Sequence, residues 1–463
     1  SVWPSFSSED RVGGGHDGSD SARGKLPSRS TYWGHVQAIR AQFRGLQDGC
    51  TAAGSNITAW DLVLINALGD LFDIKPAVLP KSSRVDFGKM KPERASAELQ
   101  RRGHCSALIK VTDDFSELYF GHSSWFAYSN MNRVFKHYKL EFEGTKAPTM
   151  SFSSYPGMLS SLDDFYLLQE TQLAMTQTTN GIYDNRLYDA VTPSALLAWE
   201  RVRLANALAT SGEEWSRIYA LHNSGTYNNQ YMVVDIDLFK PGQALAPNTL
   251  WVIEQIPGLV VGGDVTHELE RGYFPSYNVP YWPEIYEKSG YPRLDERHGR
   301  RKGSEYSLAP RASIFRRDHL LAQSLEGLKF VMRENGYRPE DHANTGELDP
   351  LAKDPWMAIC SRGDLNPSGP ALVGCYDSKV TSASLFRESF GAWAVNGPTN
   401  QGVPTFSWRE AEERVDFHGN VSGSTDRGDA ANAADARASS RRNRHFGQPD
   451  VFDFEFELFA PAW

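Results

Sequence analysis

Cys105 has the clearest chemical context in this sequence, because it stands between a basic segment and a predicted β-strand. A free thiol has a pKa of about 8.5, so it is a weak nucleophile at neutral pH unless a base lies beside it. Cleavage of the chain between His104 and Cys105 would supply that base, since the new α-amino group has a pKa of about 7.7 to 8.0. The thiol can make this cut by attacking the carbonyl of His104. The arrangement predicts a self-cleaving chain with an N-terminal cysteine nucleophile.

Other chemical signatures are missing from the sequence. It contains no GxSxG elbow, no HExxH pair and no P-loop. None of its four cysteines lies in a CxxC or Cys/His spacing that builds a zinc site. We therefore expect no metal and no cofactor. Cys360 and Cys375 flank a loop with two prolines, and we expect them to form a disulfide in an oxidising compartment.

Composition limits the partners of the chain. Its 463 residues carry a formal net charge of −9, which argues against a broad basic surface for nucleic acid. No apolar run approaches the ~20 residues that a membrane-spanning helix needs, so we expect no transmembrane segment. Asn56 and Asn420 begin N-x-S/T triplets that would accept glycans in a secretory compartment.

The elements around Cys105 follow from local patterns. Residues 1–30 are rich in Gly, Ser and Asp and predict a flexible lead-in. Apolar spacing of three to four predicts helices over 33–46 and 61–71. Residues 75–103 are basic with few large apolar side chains, which indicates an exposed, cleavable linker. Residues 105–111 and 117–120 then predict a β-hairpin that Cys105 opens.

The rest of the chain predicts a mixture of helices and strands. Apolar patterns favour helices over 163–175 and 196–208, and β-branched runs favour strands over 231–238, 250–256 and 260–265. Between Arg409 and Arg444 the composition of Ala, Ser, Arg, Asp and Gly predicts a long surface insertion. An α+β fold class follows.

Several motifs resemble those of the phospholipase B-like family, relatives of the N-terminal nucleophile hydrolases, over about residues 31–463. Two of them surround the nucleophile: Cys-Ser-Ala-Leu-Ile-Lys at 105–110 and Gly-His-Ser-Ser-Trp at 121–125. The others follow in the same order, at 153–157, 177–179, 222–230, 254–258, 276–281, 310–312, 364–367 and 447–450.

The resemblance implies an αββα four-layer sandwich with Cys105 as the nucleophile. It also implies catalytic roles for three further residues: His122 in proton transfer, Asn278 as an oxyanion donor, and Arg311 as a permanent positive charge. Trp125 and Thr179 would line the substrate pocket. The expected organisation is a lead-in at 1–30, an N-terminal fragment at 31–104, and a catalytic domain at 105–463 that forms one folded unit with 31–75.

The activity that the resemblance implies is hydrolysis of acyl ester bonds in a lipid such as a phospholipid. The residues do not separate an ester from an amide, so an amidase acting on N-acyl or peptide-like bonds remains an alternative. A non-catalytic secreted or lysosomal glycoprotein with an inert pocket is a second one. In each case we expect a secreted or lysosomal protein, and we expect the two cleavage fragments to stay associated.

Overall fold

The computed structural model describes residues 26–90, 105–298, 305–336, 355–366, 369–421 and 445–462. Statements about structure below refer to these residues. The predicted linker from residue 91 to His104, most of the lead-in, and residues 422–444 of the predicted insertion lie outside them.

Helices and strands are mixed along the described chain, as expected for the α+β class. The helices are α1 Arg29–Ala52, α2 Ala59–Asn66, α3 Leu71–Val78, α4 Ala198–Leu208, α5 Gly212–Ala220, α6 Thr266–Leu269, α7 Pro283–Ser289, α8 Tyr291–His298, α9 Pro310–Asp318, α10 Leu325–Met332, α11 Ala383–Ser389 and α12 Trp408–Val421. The strands are β1 Ser106–Val111, β2 Leu118–Ala127, β3 Val134–Lys139, β4 Thr149–Ser154, β5 Phe165–Leu168, β6 Leu173–Thr179, β7 Asn229–Asp235, β8 Leu250–Ile256, β9 Leu259–Asp264, β10 Tyr273–Ser276, β11 Val373–Ser382, β12 Ala392–Asn396, β13 Phe406–Ser407, β14 Val451–Phe452 and β15 Glu457–Phe459.

Two large antiparallel sheets form the centre of the molecule. The first has six strands in the order β10-β1-β2-β11-β12-β15, and the second runs β3 to β9 in sequence order. In the first sheet β1 lies between β10 and β2, with Ala107 opposite both Ser276 and His122. This register places the start of β1, and so Cys105, inside the sheet and away from its edges.

The sheets pack face to face through alternate residues of their strands. Ala107 and Ile109 of β1 share one buried cluster with Phe165 and Leu167 of β5. Because successive side chains of a strand point to opposite faces, the residues between them face outward. The main apolar core therefore lies between the two sheets.

Helices cover the outer faces of both sheets. Tyr166 and Tyr231 of the seven-stranded sheet pack with side chains of α1, α4 and α5, including the fully buried Trp215. On the other side, Leu108 of β1 shares a cluster with residues of α9 and α10 such as Met332. The arrangement is a layered α+β fold, with helices outside two packed sheets.

One predicted helix is wrong. Residues 163–175 contain the whole of β5 and the first three residues of β6, joined by a turn in which Gln172 has a φ of +54°. All four residues of β5 are buried, because the strand lies between the other sheet and the outer helices. A short run that is apolar on both faces carries no alternation, so its periodicity does not distinguish a central strand from a buried helix.

Two segments are more ordered than their composition indicates. Residues 75–78, expected to begin the linker, belong to α3, and two 3₁₀ turns follow at Lys81–Ser83 and Phe87–Lys89. The predicted insertion begins inside α12. Within the described residues, no helix is long and apolar enough to cross a membrane.

Candidate active site

Cys105 directly precedes β1 and is buried, with 2% of its surface exposed. Its φ of +77° lies in the left-handed region, which is unfavourable for a residue with a side chain. Burial, together with the nearby carboxylate of Asp163, raises the pKa of its thiol to about 12. In the uncut chain this thiol is therefore protonated at neutral pH, and it needs a base before it can act as a nucleophile.

Arg311, in the first turn of α9, joins Cys105 to Asn278. Its Nη1 donates to the carbonyl oxygen of Cys105 at 2.6 Å, and its Nη2 donates to Oδ1 of Asn278 at 2.6 Å. Further donations reach Ser106 Oγ at 3.1 Å and the Tyr277 carbonyl at 2.8 Å. Burial lowers the pKa of the guanidinium to about 9, so it stays charged at neutral pH. This one side chain fixes the backbone on both sides of the site.

Asn278 also has a left-handed backbone, with a φ of +69°. Its Nδ2 donates to the Thr179 carbonyl at 2.7 Å, and its backbone N–H donates to Thr178 Oγ1 at 3.3 Å. Tyr291 donates its hydroxyl proton to the Asn278 carbonyl at 3.0 Å. These bonds hold the Asn278 amide against the end of β6, where Thr179 lies.

Thr179 ends β6 and is nearly buried. Its Oγ1 is buried and has no hydrogen-bond partner among the described residues. Buried hydroxyl groups are normally paired, and this unpaired one belongs to a residue that is linked to the Cys105 carbonyl through Asn278 and Arg311.

Trp125 lies under the site. Its ring centroid is 4.4 Å from the Arg311 guanidinium carbon, and its Nε1–H donates to the Ile359 carbonyl at 3.0 Å. The predicted disulfide between Cys360 and Cys375 is confirmed, and it packs against the Trp125 ring. Trp125 therefore supports the site through the cation–π contact and the disulfide loop.

His122 points between the two sheets from β2. Its Nε2 lies 2.9 Å from the Gln177 carbonyl and its Nδ1 lies 3.5 Å from Ser124 Oγ. Because the carbonyl oxygen only accepts, Nε2 carries the proton. Burial, and then the charge of Lys379, hold the pKa of His122 well below its usual range. The imidazole is therefore neutral.

A buried charge cluster near Cys105 was missed by sequence reasoning. Asp163 accepts from Arg133 Nη2 at 2.8 Å and from Lys379 Nζ at 3.0 Å, and it also accepts from Ser124. Asp377 forms ion pairs with the same two cations, at 2.8 Å from Arg133 and at 2.7 Å from Lys379. Asp163 and Lys379 act electrostatically on the Cys105 thiol. The cluster draws on separate stretches of sequence around Ser124, Arg133, Asp163 and residues 377–379, so only the fold brings them together.

Comparison with known proteins identifies the family. The family model described as Phospholipase B matches residues 20–425. The chain belongs to the phospholipase B family. It is 38% identical over 439 residues to Phospholipase B-like 1 of Rattus norvegicus, covering 93% of this chain and 71% of that protein. It is 42% identical over 440 residues to Phospholipase B of Crotalus adamanteus, covering 93% and 72%. With Phospholipase B-like protein D of Dictyostelium discoideum the identity is 38% over 402 residues, covering 84% and 68%.

A cavity of about 480 Å³ in this phospholipase B family member reaches the site at Thr179. Its walls come from both sides of the predicted cut: Leu71, Phe72 and Leu79 on the N-terminal side, and Ile182 and Tyr188 on the other. Most of the wall surface is apolar, although Asp73, Lys75 and Arg84 also line the cavity. The cavity therefore presents mainly apolar walls next to Thr179, with charged groups among them.

The remaining predicted sites concern processing. His104 lies outside the described residues, so the structure does not describe the predicted cleavage bond. Asn56 is exposed between α1 and α2, where a glycan has room. The side chain of Asn420 is not described. Within the described residues, no group of three or more His, Cys, Asp and Glu side chains is placed to hold a metal ion.

Proposed function

We propose that this member of the phospholipase B family is a self-processing N-terminal cysteine hydrolase that cuts acyl ester bonds of a lipid such as a phospholipid. The supporting observation is the chain of contacts from the Cys105 carbonyl through Arg311 to Asn278 and Thr179. The proposal includes an αββα sandwich of the N-terminal nucleophile hydrolase type, which the layered packing of helices and sheets supports.

Self-cleavage comes first in this mechanism. Cys105 Sγ attacks the carbonyl carbon of His104 while the thiol proton passes to the amide nitrogen, and the C–N bond breaks. Water then hydrolyses the thioester, leaving a carboxylate on His104 and a free α-amine and thiol on Cys105. The left-handed φ of Cys105 supports this step, because strain in the starting peptide lowers the barrier to breaking it.

Substrate hydrolysis reuses the same thiol. The α-amine takes the thiol proton, Sγ bonds to the acyl carbon, and the leaving alcohol receives the proton as the C–O bond breaks. Asn278 donates an N–H to the negative oxygen of the intermediate, and the Arg311 charge stabilises the same region. Water then releases the fatty acid from the thioester. Burial keeps the thiol of the uncut chain protonated at neutral pH, so the nucleophile needs a base, and the α-amine released by cleavage supplies one.

The lipid substrate rests on the names of the relatives and on the apolar cavity. Phospholipase B of Crotalus adamanteus is named for phospholipid cleavage. The cavity next to Thr179 offers apolar walls of the kind that an acyl chain requires. The buried disulfide supports a secreted or lysosomal location, since disulfides persist in oxidising compartments.

The fragments on the two sides of the cut share buried contacts, so we expect them to stay together. Asp70, 1% exposed, accepts from the Ala198 N–H at 2.9 Å and from Thr226. Asn66 donates to the Gly157 carbonyl at 3.0 Å and accepts from the Leu159 N–H at 2.8 Å. Cleavage breaks one covalent bond and leaves these contacts in place.

Intact mass and matched substrates test the proposal. Purified protein should convert to two chains that begin at the original N-terminus and at Cys105, and Cys105→Ala should abolish both conversion and hydrolysis. Cys105→Ser should retain slow cleavage, because a hydroxyl can perform the same acyl shift. An uncut wild-type chain after long incubation at pH 4 to 7 would favour an inert pocket. Turnover of an amide without turnover of the matched ester would favour an amidase.

A further inference from the structure

The loop that carries Asn278 has a left-handed turn that its surroundings hold in place. Residues 277–282 connect β10 to α7, and within them Asn278 has a φ of +69°. Asparagine adopts a left-handed backbone more readily than most residues, but surrounding contacts are still needed to hold its side chain in one position. The contacts that hold the far side of this loop therefore decide where the Asn278 amide points.

Those contacts converge on one carboxyl group. Glu254 is fully buried in β8, and its Oε1 accepts from the Tyr281 N–H at 2.7 Å. Its Oε2 accepts from the N–H of the next residue, Trp282, at 3.1 Å. Gln230, opposite it on β7, donates to Oε1 at 2.6 Å. Two consecutive backbone N–H groups of the loop thus bind the two oxygens of one carboxylate.

Glu254 also ties the loop to the seven-stranded sheet. Gln230, which donates to its Oε1, lies on β7 opposite Thr178 of β6, and Thr178 Oγ1 accepts from the Asn278 N–H at 3.3 Å. One buried carboxyl group therefore joins β7 and β8 to the loop that carries Asn278.

We propose that Glu254 is a positioning residue, whose carboxylate fixes the 277–282 loop so that Asn278 faces the acyl carbonyl bound at Cys105. This inference rests on the proposed function. Burial raises the pKa of Glu254 to about 7, so both its neutral and its charged forms occur at neutral pH. Either form has an oxygen for each of the two N–H donors, whereas a glutamine in its place presents an NH₂ group to one of them. That substitution loses one hydrogen bond and places two donors against each other.

The first test compares Glu254→Gln with Glu287→Gln, an exposed position on α7. In Glu254→Gln we expect faster hydrogen exchange of the Tyr281 and Trp282 amides, measured by mass spectrometry on peptides covering 277–282. We also expect kcat for ester hydrolysis to fall about 10- to 100-fold with KM changed less than about 3-fold, since a displaced oxyanion donor weakens transition-state binding. Glu287→Gln should match wild type in both measurements. Unchanged exchange at 277–282 in Glu254→Gln would overturn the proposal.

A double-mutant cycle separates positioning from a general effect on the fold. If Glu254 acts through Asn278, Glu254→Gln should cost less than about 3-fold further activity in an Asn278→Ala background. Full additivity of the two losses would overturn the proposal. If Glu254→Gln does not fold, Glu254→Asp serves instead, because its shorter side chain keeps the charge but reaches only one of the two N–H groups.

The exchange measurement also keeps this inference separate from the proposed function. A wild-type protein that neither cleaves itself nor hydrolyses any ester or amide would refute the proposed function, and with it the catalytic purpose of Glu254. An active wild-type protein whose loop exchange and kcat are both insensitive to Glu254→Gln would refute the positioning role alone.

Discussion

Arg311→Lys is the perturbation that tests the site geometry most directly. The two terminal nitrogens of Arg311 serve four acceptors, namely Cys105 O, Ser106 Oγ, Tyr277 O and Asn278 Oδ1. A lysine keeps the charge but offers three N–H donors from a single atom, so at least one buried acceptor loses its partner.

The number of acceptors left without a partner sets the expected loss of stability and of cleavage rate. One buried acceptor without a partner costs about 1 to 3 kcal/mol, and the lost contact with the Trp125 ring adds about 0.5 to 1 kcal/mol. If the misplaced Cys105 carbonyl and Asn278 amide reduce transition-state stabilisation by about 1.4 to 2.7 kcal/mol, self-cleavage slows about 10- to 100-fold. The free energy of unfolding should fall by about 1.5 to 4 kcal/mol.

Two assays separate these effects. Cell-free synthesis followed by intact-mass sampling gives the cleavage rate, and urea unfolding in a Cys105→Ala background gives stability without cleavage. Arg316→Lys, at an exposed position of the same helix, is the matched control and should change neither quantity by more than about 0.5 kcal/mol. A folded Arg311→Lys protein that cleaves at the wild-type rate would refute the reasoning.

Three further predictions follow from buried contacts. Replacing both Cys360 and Cys375 by Ala, which opens a 15-residue separation, should lower the free energy of unfolding by about 3 kcal/mol in urea titrations; an unchanged midpoint would contradict this. Size-exclusion chromatography of cleaved protein without denaturant should give one peak containing both fragments, and a separate N-terminal peak would show that the contacts of Asp70 and Asn66 are too weak. Burial raises the pKa of Glu200 from 4.5 to about 7, so its contribution to stability is full below pH 4.5 and is lost as pH rises towards 7. Between pH 5 and pH 7 Glu200→Gln should therefore gain about 2 kcal/mol relative to wild type, and a constant difference in unfolding free energy would refute the assigned cause.

The sequence predicted the elements whose patterns are local. The strand after Cys105 and the helix near residues 196–208 occur as expected, since alternation and helical spacing are visible in short windows. Residues 163–175 were assigned wrongly because β5 is apolar on both faces. The error also concealed Asp163, which would have pointed outward from a surface helix and instead lies in the buried charge cluster.

In the candidate site, too, residues within sequence motifs could be predicted, whereas contacts between residues distant in sequence could not. Cys105, Asn278 and Arg311 were selected through their motifs, and the structure brings them into one hydrogen-bonded chain. Glu254 lies in a motif that carried no assigned role, and the role proposed for it depends on contacts with Tyr281 and Trp282, 27 and 28 residues away, that only the fold creates.

In the proposed processing, the left-handed φ of Cys105 favours cleavage of the chain over rejoining of its two ends. This torsion is defined partly by the carbonyl carbon of residue 104, so it ceases to exist once that bond is cut. Strain of about 1 to 2 kcal/mol is then released and cannot be recovered by the separated ends. Resealing the chain would have to restore the strain as well as expel water, so each molecule would pass from precursor to mature form once, as an irreversible step in its lifetime.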